Sequence, residues 1–446
     1  MSSFKKFVRL FGLSIKDGIW QQTALADRIN RSLGDGFVDA HKLAARLLFQ
    51  FDTGLPPSTK LLFDFLRTDK QLCRFYESLD QKKDPRILLD SPAMGSLPER
   101  MITLPLPQLA SWHDVRIWLG LSNEELAWFA DREGRQGNIT EPKLHHYRYR
   151  WVRKRSGEAR LIEIPKRRLK AMQRQILKEI LNQVPPHPSA HGFTRGRSCL
   201  TYTAQHLDKY AVMRMDLKDF FHSVPIPRIG ATFKRLGYPQ GVAHLLQGLC
   251  THVTSASLAG AVYEQLPWEN QRRLSGKHLP QGAPSSPAIA NLCAWGLDCR
   301  LSGLADRFGL NYSRYADDLA FSGSKELIGL APYLQTVIGA IALEEGFRIN
   351  HRKTLLRSQA QSQRLAGMVV NKKSNLSRQE YDRLKAILYN CVRFGPESQN
   401  RHDMVDFKSH LAGKIAYATW LNPERGARLN CLWQQIVWPD NRIATS

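Results

Sequence analysis

The spacing of apolar residues along the chain predicts helices at both ends and short strands between them. Apolar residues recur at helical intervals in segments 39–51, 58–66, 112–132, 166–182, 289–304, 325–345, 381–392, 404–420 and 425–436. Alternating or continuous apolar runs predict strands at 159–165, 210–215 and 364–370, and a strand–turn–strand hairpin within 309–323. This order of elements predicts an α+β fold.

Two breaks separate the first helices from the remainder of the chain. Gly54-Leu-Pro-Pro57 interrupts the helical pattern, and residues 84–107 are rich in turn-forming residues. No group of residues in the first hundred positions suggests catalysis or metal binding. We therefore expect a helical accessory region there.

Two adjacent carboxylates lie at the turn of the predicted hairpin, in the sequence Tyr315-Ala316-Asp317-Asp318. Neighbouring negative charges repel each other, so an ordinary sheet gains nothing from this pair. A divalent cation would remove the repulsion, because Mg²⁺ binds one or two carboxylates together with substrate phosphates. A solvated turn is the alternative, since aspartate is common in turns.

A third carboxylate follows the buried strand at 210–215. Asp216 ends that strand and is followed by Asp219. Asp216 could meet Asp317 of the hairpin and hold two metal ions about 3.5–4 Å apart, as in polymerases and nucleases. The alternative is an aspartate that only ends a strand, and Asp219 is typical of a turn or a helix cap.

The most basic segment lies upstream at residues 145–174, with eleven Lys or Arg against two acids. Aromatic residues alternate there with arginines, among them Arg148 and Arg150. Such alternation predicts a β-ribbon with one cationic face, which would hold phosphates while the aromatic rings pack or stack on bases. A solvated hairpin with a half-buried aromatic face is the alternative.

Two further loops carry candidate chemistry. In residues 190–198 the glycines permit close backbone approach, and Arg197 could meet a triphosphate. In residues 279–287 turn-forming residues lead into a helix, and Gln281 would face a nucleotide bound over the carboxylates. Each loop taken alone is equally well explained as a structural connection.

Charge and cysteine usage narrow the class of protein. The net charge is +24, and no block of Lys or Arg stands apart as a tail, so nucleic acid is the expected partner of a basic folded surface. The seven cysteines are scattered without a Cys-x-x-Cys pair, which argues against a disulfide framework and against a zinc site. We expect no membrane span, and a reduced, cytoplasmic setting in a bacterium.

Taken in order, these motifs resemble the reverse transcriptases, specifically those of bacterial retrons. The resemblance rests on the basic segment, the strand ending on Asp216, the sequence Gln281-Gly282-x-Pro284-x-Ser286-Pro287, the hairpin with Asp317-Asp318, Lys353 and the helical tail, and it covers about residues 105–440. It implies a right-hand polymerase fold with a mainly helical N-terminal extension. The implied segments are an accessory region at 1–104, fingers at 105–207, a palm with the catalytic site at 208–374 and a helical thumb at 375–446.

The resemblance also implies an activity and its partners. The enzyme would be an RNA-directed DNA polymerase that copies a structured non-coding RNA, serving as template and primer, into single-stranded DNA. Its substrates would be dNTPs, its product an RNA–DNA species, and its role anti-phage defence, with room for an effector or toxin protein as a further partner. No membrane partner is implied.

By the family's pattern, Asp216, Asp317 and Asp318 hold two Mg²⁺ ions and are catalytic. Phe221, five positions after Asp216, matches the steric gate, whose ring would clash with a ribonucleotide 2′-hydroxyl. Nucleotide contacts are implied for Phe221, Gln281, Arg197, Lys170 and Lys353, the last near the leaving group. RNA or primer contacts are implied for Arg148, Arg150, His206, Gly367 and Asn371.

Two signatures of retron enzymes match only in part. The Asn-Ala-x-x-His element falls on residues 202–206 and keeps only His206, and the Val-Thr-Gly element falls on Leu365-Ala366-Gly367. These departures leave open which RNA is recognised and whether priming starts from an RNA 2′-hydroxyl. Two other functions stay open: a related defence reverse transcriptase that uses another template or none, and a non-catalytic RNA-binding scaffold.

Overall fold

The computed structural model describes residues 3–16, 20–34, 37–51, 57–79, 94–95, 101–131, 134–153 and 159–438. Among them the helices are α1 (Ser3–Lys16), α2 (Gln22–Leu33), α3 (Ala40–Gln50), α4 (Thr59–Thr68), α5 (Lys70–Ser78), α6 (Trp112–Leu119), α7 (Asn123–Phe129), α8 (Arg167–Glu179), α9 (Cys199–Ala204), α10 (Ile226–Arg235), α11 (Gln240–Cys250), α12 (Ala256–Ala259), α13 (Ala261–Glu264), α14 (Trp268–Ser275), α15 (Ser286–Cys293), α16 (Trp295–Arg307), α17 (Glu326–Glu344), α18 (Arg378–Phe394), α19 (Phe407–Leu421) and α20 (Pro423–Trp433). The strands are β1 (Tyr147–Arg153), β2 (Ala159–Pro165), β3 (Ala211–Asp216), β4 (Asn311–Tyr315), β5 (Asp318–Gly323), β6 (Leu355–Ser358), β7 (Arg364–Leu365) and β8 (Met368–Val369). The predicted breaks at 54–57 and 84–107 lie largely outside the described residues.

Helices α1 to α5 share a hydrophobic core of their own. Each is amphipathic and turns its apolar side inward, so that Phe11, Leu25, Leu43, Leu62 and Leu72 are buried together. The predicted helices at 39–51 and 58–66 are confirmed as α3 and α4. The expected mainly helical N-terminal extension is therefore present.

The chain divides into two compact units, and each combines two separate stretches of sequence. One consists of Met1–Pro185 and Phe221–Cys293, and the other of Pro186–Phe220 and Ala294–Ser446. This division by compactness does not follow the four predicted segments, which stay a prediction.

In the first unit, β1 and β2 form the antiparallel ribbon expected of the basic segment, in a register that pairs Tyr147 with Pro165. Arg148 and Arg150 are exposed. On the other side of the ribbon, Tyr149 and Trp151 pack against a small apolar core at α12 to α14. The aromatic rings therefore pack within the protein, while the arginines form a cationic face.

The second unit contains a four-stranded antiparallel sheet with the order β4-β5-β3-β6. Strand β3 lies between β5 and β6, and five of its six residues are buried. Helix α17 packs against β3, β5 and β6. Strand β3 is therefore buried between neighbouring strands and beneath α17, which explains the continuous apolar run predicted as a strand at 210–215.

The helical tail has a separate core, in which α18, α19 and α20 bury Leu388, Ile415 and Leu429. A capping box begins α18: the Ser377 hydroxyl accepts from the Glu380 amide, and the Glu380 carboxylate accepts from the Ser377 amide. Asn422 caps α20. All three predicted helices of the tail are confirmed.

Two sequence predictions were wrong in detail. The helix predicted at 289–304 is interrupted at Ala294, where α15 has ended and α16 has not begun. The strand predicted at 364–370 is instead the short hairpin of β7 and β8. Its two turn residues, Ala366 and Gly367, have φ of 47° and 82°, a left-handed conformation that reverses the chain. The spacing of apolar residues alone signals neither the interruption of the helix nor the turn of the hairpin.

Helix α17 also departs from expectation. Among the described residues it alone meets the length and composition of a membrane span, with a mean hydropathy of 1.5 over its most apolar window. No apolar run of that length was expected from the sequence. One such helix is weak support for a membrane span, since the core helices of folded domains satisfy the same criterion.

Candidate active site

Asp216 and Asp318 lie opposite each other on the two central strands of the four-stranded sheet. They are register partners at the ends of β3 and β5, which pair from Ala211–Gly323 to Asp216–Asp318. Directly opposed residues of an antiparallel pair have Cβ atoms about 4.5–5.5 Å apart. Two carboxylates that are 102 positions apart in sequence (318 − 216) are thereby brought together.

Asp317 joins them through the hairpin turn. The turn consists of Ala316 and Asp317, and Ala316 adopts φ of 56°, in the left-handed region. The amide of Leu217 donates a hydrogen bond of 2.8 Å to the Asp317 carbonyl, which ties the turn to the end of β3. Three carboxylates therefore share one end of the sheet.

A buried arginine holds the hairpin turn. The Arg314 guanidinium is fully buried, donates to both carboxylate oxygens of Asp298 at 2.8 and 2.6 Å, and donates to the Ala316 carbonyl at 3.1 Å. Losing one partner of such a buried pair costs about 3–5 kcal/mol. Gly192 lies against the same turn, because a Cβ at that position would be 2.5 Å from the Ala316 amide nitrogen.

Burial and mutual repulsion make the carboxylates of the turn hard to ionise. Burial raises the pKa of Asp317, and the charges of Asp318 and Asp216 raise it further. Burial also raises the pKa of Asp318, although Arg214 opposes that shift by donating to Oδ1 of Asp318 from Nε at 2.9 Å and from Nη2 at 2.6 Å. An added cation would stabilise both ionised forms.

Lys353 contacts the third carboxylate. Its Nζ lies 2.9 and 3.1 Å from the two carboxylate oxygens of Asp216. Asn350 lies on the same side. Its backbone amide donates a hydrogen bond of 2.7 Å to the Asp216 backbone carbonyl. The side chain of Asp216 is buried, whereas that of Lys353 is half exposed.

This donor set fits a hard divalent cation. Oxygen ligands from several carboxylates, held by two strands and a turn, are those that Mg²⁺ takes in sites that also bind phosphates. Burial is the first cause of the raised pKa values of Asp317 and Asp318, and a bound cation would oppose it. Asp216, Asp317 and Asp318 could therefore hold such ions.

Two other predicted site residues of this unit, His206 and Asn371, make hydrogen bonds within the protein. His206 is fully buried, with its ring nitrogens 2.7 Å from the hydroxyls of Ser322 and Ser313. It lies in the core, and its expected RNA contact stays a prediction. Asn371 holds the loop before β7, accepting from the Gln363 amide and donating to two carbonyls.

Two more predicted contacts of this unit lie at turns. Gly367 is exposed in the turn between β7 and β8. One end of the Arg197 guanidinium lies 2.5–3.1 Å from the carbonyls of His187, Pro188 and Ala190, so it stabilises its own loop. The expected triphosphate contact of Arg197 stays a prediction.

The remaining predicted residues belong to the other compact unit. Arg148 and Arg150 are exposed on β1, and Lys170 is half-buried on α8. Phe221 and Gln281 are also half-buried. Their expected contacts with the nucleotide and RNA stay predictions.

Sequence reasoning missed a buried polar cluster in that unit. The carboxylate of Glu163 lies among His278, His222 and His252. The ligand atoms of Glu163, His222 and His278 lie within 4.8 Å of one another, a spacing that could hold a metal ion. Only the alternation of β2, which points Glu163 to the same side as buried Leu161 and Pro165, signals this inward position.

Comparison with known proteins identifies the family. Residues 152–370 match the family model described as "Reverse transcriptase (RNA-dependent DNA polymerase)". The retron Mx65 reverse transcriptase of Myxococcus xanthus is 38% identical over 331 residues, which cover 73% of this chain and 71% of that protein. The retron Mx162 reverse transcriptase of Myxococcus xanthus is 33% identical, over 74% of this chain and 67% of that protein. The retron Ec86 reverse transcriptase of Escherichia coli is 31% identical, over 73% of this chain and 94% of that protein. The chain therefore belongs to the retron reverse transcriptases, which are RNA-directed DNA polymerases with a right-hand fold.

Proposed function

We propose that this enzyme copies a cognate structured non-coding RNA into single-stranded DNA, with Asp216, Asp317 and Asp318 holding two Mg²⁺ ions. The observation that carries the proposal is the cross-strand pairing of Asp216 with Asp318, together with Asp317 in the adjoining turn. When bound, the two ions would lower the pKa of the primer hydroxyl and stabilise the leaving pyrophosphate. The protein then has to hold three repelling carboxylates in place. Arg214 contacts Asp318, and Arg314 holds the hairpin turn through the Ala316 carbonyl.

Further residues act on the substrates in this proposal. The Lys353 ammonium, which contacts Asp216, would neutralise charge on the leaving group. Phe221 restricts the nucleotide to deoxyribose, Gln281 orients it, and Lys170 and Arg197 face the triphosphate and template. These roles come from the family pattern of the sequence.

RNA binding is supported by the charge of the protein. The net charge of +24 and the exposed arginines of β1 provide a surface for phosphates. Arg148 and Arg150 would contact RNA there, with Gly367 and Asn371 near the primer strand. The fingers, palm and thumb would comprise residues 105–207, 208–374 and 375–446, after the helical region 1–104.

The biological role in this proposal is anti-phage defence in the bacterial cytoplasm, with an effector or toxin protein as a further partner. A related enzyme that uses another template, or none, is the competing outcome. The test is to purify the protein with its nucleic acid and to sequence both strands. A single DNA species joined to one RNA supports the proposal, whereas homopolymeric or repetitive DNA without a defined RNA contradicts it.

A further inference from the structure

The carboxylate of Glu163 is fully buried in the middle of β2. It accepts a hydrogen bond of 2.7 Å from the Thr254 hydroxyl. Nε2 of His278 lies 3.0 Å from one of its oxygens and 3.2 Å from the other. A buried charge without such partners would cost several kcal/mol, so these contacts decide whether the site is stable.

The partners of His278 identify which of its ring nitrogens carries a proton. Nδ1 of His278 lies 2.8 Å from the Gly276 carbonyl, which can only accept, so Nδ1 carries a proton. Nε2 faces a carboxylate and donates only if it is protonated as well. Burial alone would raise the pKa of Glu163 and lower that of His278, but each group reverses the shift of the other. Both pKa shifts favour a carboxylate paired with an imidazolium.

Two other histidines lie farther from the carboxylate of Glu163 than His278 does. Nε2 of His222 and Nε2 of His252 each lie 3.9 Å from an oxygen of Glu163. A carboxylate and imidazoles are also ligands that zinc binds. However, the direct contact between His278 and Glu163 has the length of an ordinary N–H···O hydrogen bond, 3.0 Å. A proton on Nε2 of His278 accounts for this contact, and metal analysis tests the alternative of a bound ion.

The ion pair is joined to the loop that carries Gln281. The amide of Glu163 donates at 2.9 Å to the Gln281 carbonyl. A Cβ at Gly282 would lie 2.7 Å from the Glu163 carbonyl oxygen, so the loop backbone packs directly on β2. His278 pairs in turn with the backbone of His252 in an isolated bridge. Both ends of the segment from His278 to Gln281 are therefore fixed to one residue.

We propose that the Glu163–His278 ion pair is a positioning centre for the incoming nucleotide, because it fixes the loop that presents Gln281. This inference rests on the proposed contact of Gln281 with the nucleotide. An apolar pair of similar volume would often be as stable as a buried ion pair, so stability alone gives no reason for these charges. Neither residue touches the substrate, and both act through the loop.

The test compares full-length variants in primer extension at varied dNTP concentration. His278→Gln leaves a buried carboxylate without its counter-ion, Glu163→Gln leaves a neutral pair, and the double variant removes both charges. Gln281→Asn probes the nucleotide contact itself. Glu264→Gln and His113→Gln, both at exposed positions of the same unit, are the matched controls. Thermal unfolding identifies any variant that fails to fold.

We expect KM for dNTP to rise on the order of tenfold in His278→Gln, because a displaced loop loses alignment with the substrate. The rise should be smaller in Glu163→Gln and in the double variant, with kcat and RNA affinity changing less than about twofold. Folded variants with unchanged KM, beside a raised KM in Gln281→Asn, would overturn the inference and leave the proposed function standing. Unchanged KM in Gln281→Asn would overturn both the nucleotide contact and the inference.

Metal analysis provides an independent check of the same cluster. The ion pair predicts no zinc in the purified protein and no stabilisation when zinc is added. One equivalent of zinc that His222→Gln loses would contradict the ion pair, because His222 would then be a ligand and not only a neighbour.

Discussion

The ammonium of Lys353 lies 2.9 Å from Oδ1 of Asp216 and 3.1 Å from Oδ2. This contact brings a residue from the short turn before β6 to the end of β3. It provides one positive charge at the edge of a site that holds three carboxylates. Arg214 provides a second at Asp318.

Replacing Lys353 tests whether that charge acts on the reaction. We expect Lys353→Met to lower kcat on the order of 100-fold, since a cation beside the leaving group stabilises developing negative charge. Primer-extension rates at saturating dNTP measure this effect. Lys325→Met, which removes an exposed lysine of the same unit, should leave kcat unchanged. Equal rates in the two variants would contradict the assignment.

Phe221 is expected to discriminate against ribonucleotides. Phe221→Ala should accept rNTPs, because the smaller side chain leaves space for a 2′-hydroxyl. The ratio of kcat/KM for dNTP and rNTP measures discrimination. Phe394→Ala, at an exposed position of α18, is the control. An unchanged ratio in Phe221→Ala would rule out the gate.

The exposed arginines of β1 predict a salt-dependent contact with RNA. Each phosphate contact contributes about one to the slope of log affinity against log salt. Arg148→Gln combined with Arg150→Gln should reduce that slope by about two. Binding titrations at several salt concentrations measure it, with Arg67→Gln and Arg74→Gln on the N-terminal helices as the control pair. If both pairs give the same slope, this face of the ribbon does not bind RNA.

His206 predicts a pH dependence of stability. Burial lowers its pKa to about 3, so it is neutral when folded, whereas its unfolded pKa is about 6.5. Below pH 6.5 the unfolded chain therefore binds a proton that the folded chain does not, and the free energy of unfolding falls as pH falls. Between pH 7 and pH 5 this contribution is about 2 kcal/mol.

The variant His206→Gln should lose that contribution. Urea unfolding at pH 7 and pH 5 measures the difference for wild type and variant. Because His146 and His191 also have pKa values lowered to about 4 by burial, the variant should keep part of the slope. A variant as pH-sensitive as the wild type would show that His206 does not titrate on unfolding.

The sequence predicted those features that depend on local pattern. The hairpin with Asp317, the strand ending on Asp216 and the basic ribbon all have short-range signatures of alternation and turn residues. These patterns also indicated that Asp216 ends its strand and that Asp317 and Asp318 lie at the hairpin turn. Their register, which pairs Asp216 with Asp318, required the folded sheet.

Features that depend on distant partners were not predictable in this way. Glu163 and His278 are far apart in sequence, and nothing local marks them as an ion pair. His206 matched one position of a family signature, but its burial between two serines depends on β4 and β5. Such buried polar groups are specified by tertiary contacts and not by the residues beside them.

The most direct test of the central claim is primer extension on an RNA template with Mg²⁺ and dNTPs, comparing wild type with Asp317→Asn. Asp306→Asn, at an exposed position of α16, is the matched control, and RNA affinity confirms that each variant is folded. We predict DNA synthesis by the wild type and by Asp306→Asn, and a loss of at least about 1,000-fold in Asp317→Asn. Synthesis by Asp317→Asn at the wild-type rate would show that the three carboxylates are not the catalytic metal site.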